Sequence, residues 1–135
     1  MPRPGDRVQT CTKADAVVRL GHARLYLEVA TTVIGVEGDE DATVATGNAV
    51  LAAIAAADAI CCSSTGSRYR GQDHARAAEV LEKATGDKRL GTLLRDVVTL
   101  KDMGHYGLGN VVVSRAKAAV RKSGRLVAEA EKRVR

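Results

Sequence analysis

Between positions 49 and 60 the chain is apolar at every residue but one, and the exception is Asp58. This run falls short of the roughly 18 apolar residues needed to cross a bilayer. It reads instead as a buried helix around which the other elements pack. A carboxylate inside it is costly to bury without a cation or a hydrogen-bond donor at hand. The rest of the interior has to be built from small side chains, because there is no Phe and no Trp, and the aromatics are Tyr26, Tyr69 and Tyr106. Ala, Val and Leu suit closely packed helices better than a sheet. The scarcity of aromatics also excludes nucleic-acid readers that stack bases on exposed rings. At 135 residues and 45% hydrophobic composition, one domain with a single core is expected.

Apolar spacing resolves five helices. Ala16, Leu20, Ala23, Leu27, Ala30 and Ile34 share one face of the first, and Thr12 with Asp15 three residues on forms a capping-box pattern at its start. Residues 35–38 interrupt the pattern. The acidic trio Asp39, Glu40 and Asp41 then sits where a new helix favours negative charge. That second helix, ending near Cys62, is apolar on most sides and is the central element. Residues 63–71 are small, polar and punctuated by glycine, a loop. A short third helix places His74, Ala77, Ala78 and Leu81 on one face and ends at Gly86. Asp87 caps a fourth, which buries Leu90, Leu94 and Val97 and ends among Gly104, Gly107 and Gly109. The fifth buries Val112, Ala116, Ala119, Ser123, Val127, Ala130 and Val134. No segment shows strand periodicity. The expected fold is all-α, a five-helix up-and-down bundle over residues 12–135 preceded by a flexible arm over residues 1–11.

Charge is unevenly placed. Residues 1–67 carry five Lys/Arg against eight Asp/Glu, a balance of −3, whereas residues 68–135 carry sixteen against eight, a balance of +8. A second half polarised in this way suits an anionic partner. The three cysteines are odd in number and Cys61 and Cys62 are adjacent, which fits neither a disulfide framework nor a zinc or redox CxxC pair. Reduced thiols in a cytoplasmic protein are expected, with at least one of the adjacent pair in the core. The N-terminal Met-Pro-Arg-Pro-Gly-Asp lacks the apolar stretch of a secretory signal. The residues call for no metal, cofactor or membrane.

Three groups of residues can carry chemistry. Continuing the fourth helix's apolar face from Leu94 through Val98 leads to Lys101 and His105, with Asp102 and Tyr106 a second pair beside them. A cation, an imidazole and a phenol at one helix end are suited to binding a phosphate or to general acid/base chemistry. The structural alternative leaves Lys101 and Asp102 in water and hydrogen-bonds His105 and Tyr106 to the bundle. The second group is Arg68, Arg70 and His74, where two guanidiniums adjoin a helix N-terminus, an arrangement that favours anions. Its alternative is a plain Asp73 cap with His74 against the core. Asp58 is the third. Its partners are expected among His74, Arg70, Lys101 and His105, which would join the two segments into one polar site. Residues 115–135, with eight Lys/Arg and two Asp/Glu, add a face able to meet nucleic-acid phosphates without reading sequence.

The order of five helices, the polar loop entering the third at Gly71-Gln72-Asp73-His74, and the fourth-helix end Leu100-Lys101-Asp102-Met103-Gly104-His105-Tyr106-Gly107 together resemble a HEPN domain (higher eukaryotes and prokaryotes nucleotide-binding). The resemblance covers roughly residues 12–132. It implies a helical bundle that usually dimerises. Its members include metal-independent ribonucleases of toxin–antitoxin, phage-defence or RNA-processing systems, and non-catalytic modules binding RNA, nucleotide or a partner such as an antitoxin or nucleotidyltransferase. The nuclease members carry an Arg, a polar residue after it, and a His four to six residues on. Here Lys101 stands four residues before His105 and is followed by Asp102, while Arg95 lies ten upstream. Arg68 and His74 have a spacing of six, but Tyr69 follows that Arg and the pair precedes the third helix. Lys keeps the charge and loses the planar fork that grips phosphate in two places. The expected function is a HEPN-like binding module for RNA, nucleotide or a partner protein. A ribonuclease using His105 and Lys101 is the first alternative, and a DNA-binding protein acting through its basic last helix is the second.

Overall fold

A computed structural model describes residues 7–134. The capping box forms as the sequence requires: Thr12 Oγ1 accepts from Asp15 N and the Asp15 carboxylate accepts from Thr12 N, opening α1 (Lys13–Ile34). After the turn at residues 35–38, α2 (Asp39–Thr65) begins with its three acidic residues. Arg19 near the start of α1 meets Asp58 near the end of α2, so the two helices form an antiparallel hairpin. α2 is buried on nearly every side, with Val50, Ala52, Ala53, Ala55, Ala56, Ala59 and Ile60 at the centre of the core. It is long and apolar enough to span a membrane, but 78% of its apolar window is covered by the bundle. Its apolarity serves the core.

The chain is all-α in class, and the described residues form six helices. The fourth helix expected from the sequence is divided into α4 (Lys88–Val98) and α5 (Lys101–His105). The cause is a close crossing of α5 over α2. A Cβ on Gly104 would lie 2.8 Å from the Gly47 nitrogen, and one on Gly47 would lie 2.9 Å from the Gly104 oxygen. α5 is re-aimed at Thr99 and Leu100 to reach that contact. α3 (His74–Thr85) is capped by Asp73 and closed by Gly86, as the sequence indicates. α6 (Val113–Arg133) buries Ala116, Ala119, Ser123, Val127 and Ala130. Val112 is exposed at its N-cap, and Val111 enters the core in its place. The hydroxyl of Ser123 donates to Ala49 O at 2.6 Å and that of Ser63 to Arg133 O at 3.3 Å. Both contacts advance along α2 and α6 together, so these helices run in the same direction and α3 to α5 form the crossover between them.

Two expectations are overturned near the N-terminus. Instead of loose chain, β1 (Val8–Thr10) pairs antiparallel with β2 (Ser67–Tyr69), Gln9 opposite Arg68. Residues 1–6 of the expected arm lie outside the described residues. Cys11 and Cys62 are not free thiols. They form a disulfide, and Cys61 alone is free and buried. An odd count hides one pair when the third cysteine is a core residue.

Candidate functional site

Asp58 is 7% exposed, and its charge is met by two guanidiniums. Arg19 approaches its Oδ2 through Nε and Nη2 at 3.0 Å each, and Arg68 Nη1 donates to the same oxygen at 2.8 Å. Burial pushes the Asp58 carboxyl above its ordinary range, while Arg19 and then Arg68 pull the other way. Of the partners expected from sequence, none is the ion-pair partner. His74, Arg70, Lys101 and His105 give way to Arg19 and Arg68. The other two nitrogens of Arg68, Nε and Nη2, donate to Gln9 Oε1 at 3.0 and 2.8 Å. One guanidinium thus ties β1 to α2.

On the other side of Asp58 lies a cavity of about 80 Å³ between α2, α3, α4 and the start of α5. Its walls are apolar where Ile54, Ala57, Leu81, Leu94 and Val98 face it, and polar at Tyr69, Gln72, Asp73, His74 and Lys101. Local sequence sets this rim. The Tyr69 hydroxyl accepts from Asp73 N at 3.1 Å and sits where a Cβ on residue 71 would be, 2.1 Å away. Gly71 therefore lets Tyr69 fold back over the turn. Asp73 then caps α3 by accepting from Arg76 N at 3.1 Å, which sets His74 as the first residue of the helix. Across the opening, Lys101 Nζ donates to Gln72 Oε1 at 3.4 Å. Lys101 forms no ion pair with a described residue.

The structure therefore brings Asp58, His74 and Lys101 to one cavity, with Arg68 behind Asp58. It does not bring the other candidates there. His105 contacts α2 instead, its Nε2 2.9 Å from Gly47 O. Gly47 and Asp58 are eleven residues apart on α2, about 16 Å along the helix. A carbonyl only accepts, so Nε2 carries the proton and donates. His105 thus follows the structural alternative weighed above. Tyr106 is 73% exposed, its ring edge-on to His105, and Asp102 faces solvent. The Arg70 side chain is exposed, and its backbone nitrogen donates to Arg7 O at 2.6 Å.

Sequence reasoning missed Arg19, Gln9, Tyr69 and Gln72. For Arg19 a signal existed. A hairpin turning at residues 35–38 sets position 19 opposite roughly position 54, within about one helical turn of Asp58. Gln9 and Tyr69 carried none, because a pairing between two three-residue strands leaves no period to read. No protein family, no curated protein and no solved structure matches the chain.

Proposed function

We propose that the chain is a HEPN-like helical binding module whose cavity between α2, α3, α4 and α5 receives the phosphoryl group of a nucleotide or RNA. The observation that carries this reading is Lys101, a cation at the cavity mouth whose hydrogen-bond partner among the described residues is the neutral amide of Gln72. Asp58 does not balance it, since two arginines already meet that single carboxylate. The first turn of α3 lies at the same rim, where His74 opens the helix and the Asp73 carboxylate caps it by accepting from Arg76 N. A volume of about 80 Å³ fits a group the size of a few waters, so a phosphoryl group enters and the remainder of the ligand stays outside.

The two alternatives have less support. A ribonuclease needs His105 as base, and its Nε2 is committed to Gly47 O while Lys101 reaches toward Gln72. A DNA binder would act through α6, where Lys117, Lys122 and Arg133 are paired with Glu37, Asp96 and Glu129 and leave the exposed Arg115, Arg121 and Arg125 to meet phosphates. The cytoplasmic location expected from reduced thiols loses that ground with the Cys11–Cys62 disulfide, while an antitoxin or nucleotidyltransferase partner belongs to the family expectation. So does a homodimer, for which the exposed apolar residues Val18, Leu25, Val29 and Val36 on and just after α1 offer a face.

Calorimetric titration with adenosine monophosphate tests the reading. Binding by the native chain, lost in Lys101→Ala and kept in His105→Ala, supports it. Cleavage of mixed RNA in EDTA that disappears in His105→Ala supports the ribonuclease instead.

A further inference from the structure

The Cys11–Cys62 disulfide joins the residue after β1 to the last turn of α2. It lines a surface cavity of about 160 Å³ together with Gln9, Asp15, Arg19 and Arg68. Cys62 is 2% exposed, whereas Cys11 is only half-buried, so Cys11 is the more accessible residue of the pair. Arg19 and Arg68 face the same space, held by Asp58 and, for Arg68, by Gln9, with the Asp15 carboxylate beside them. The third cysteine does not interfere. Burial, then the charge of Asp58, pushes the Cys61 thiol up to about 12, so it stays protonated beside its oxidised neighbour.

What the disulfide holds is equally specific. All three residues of β1 are exposed, and the strand is held by its ladder to β2, by Cys11 N donating to Gly66 O at 2.9 Å, and by the Arg68 bonds to Gln9. β2 in turn carries Arg68 to Asp58 and Tyr69 to the rim of the anion cavity. A line of direct contacts thus runs from the sulfur atoms to the ligand pocket.

We propose that Cys11–Cys62 is a thiol-exchange site whose opening releases β1 and loosens the anion pocket. A small thiol, reacting as its thiolate, attacks the Cys11 sulfur, the S–S bond breaks, and the electron pair leaves with Cys62 as thiolate, which takes the proton the first thiol gave up. A second thiol attacks the mixed disulfide at its own sulfur and frees Cys11 as a thiol. Two thiols are oxidised to one disulfide as the protein disulfide is reduced to two thiols. The consequence for the pocket rests on the function proposed above; the release of β1 does not.

The test uses the full chain equilibrated with oxidised or reduced glutathione. Two native thiols become titratable on reduction, amide exchange at residues 67–69 rises about tenfold, and adenosine monophosphate affinity falls about fivefold. Cys11→Ser behaves as the reduced form under both conditions, and Cys61→Ala responds as the native chain does. A disulfide that resists excess glutathione, or residues 67–69 equally protected in both forms, overturns the switch. Unchanged affinity with released β1 overturns its coupling to the pocket. Absence of nucleotide binding in both forms overturns the pocket reading instead, while the exchange data still decide the release of β1.

Discussion

At the scale of single residues, the chain is organised by one unfavourable choice, a carboxylate in the apolar run of α2. That Asp58 needs cations was legible from its neighbours. Which cations was not, because the answer depends on the register of α1 against α2 and on a strand pair with no sequence signature. The arrangement makes Asp58 costly to alter. Asp58→Asn leaves Arg19 and Arg68 facing each other without a counter-charge, both with side chains largely covered. Urea denaturation is expected to show a loss of about 3 kcal/mol, the range for breaking a buried pair from one side. A loss within experimental error would mean that the two arginines find water or another acceptor.

Among the elements, periodicity was a sound guide wherever a helix packs along one face. The stripes of α4 and most of α6 bury the residues their spacing selects, that of α1 all but the half-buried Leu27, and that of α3 buries Ala78 and Leu81 and leaves His74 and Ala77 half-buried. It failed at α5, where the fourth helix breaks so that Gly104 can lie on Gly47. Two glycines 57 positions apart carry no local sign that they touch. Gly47→Ala puts a methyl group 2.9 Å from a backbone oxygen that cannot rotate away, and a stability loss of about 2 kcal/mol is expected by the same denaturation assay. Helix caps were the most legible feature, since they depend on residues adjacent in the chain. Asp87 is an example with a pH signature. The Arg89 side chain bonded to it is the main cause holding its carboxyl below the ordinary 3.8. A depressed carboxyl stabilises the fold above its ordinary value and loses that effect as pH falls through the lowered one. Asp87→Asn is therefore expected to be less stable than the native chain at neutral pH, with the difference closing in acid below 3.8. A constant difference down to strong acid would assign the effect to geometry alone.

For the whole molecule, the all-α class followed from composition, because a chain without Phe or Trp fills its core by bringing helices close together. The topology did not follow as completely. α6 lies alongside α2 in the same direction, and the N-terminal segment is fastened to the far end of α2 by β1 and the disulfide. Both are contacts between distant positions, outside the reach of spacing arguments. The disulfide spans a sequence separation of 51, so in the chain-entropy account its reduction removes about 4 kcal/mol of stability. Denaturation with and without a dithiol measures this, and equal midpoints would contradict it.

The same long-range contacts bring Lys101, His74 and Asp58 around one cavity, and on that convergence the functional account depends. An NMR titration of the nitrogen-labelled chain with inorganic phosphate tests it most directly. The account predicts saturable amide shifts confined to residues 71–77 and to Lys101, abolished in Lys101→Ala. Shifts mapping to α6, or to His105 and Tyr106, with residues 71–77 silent, would contradict it.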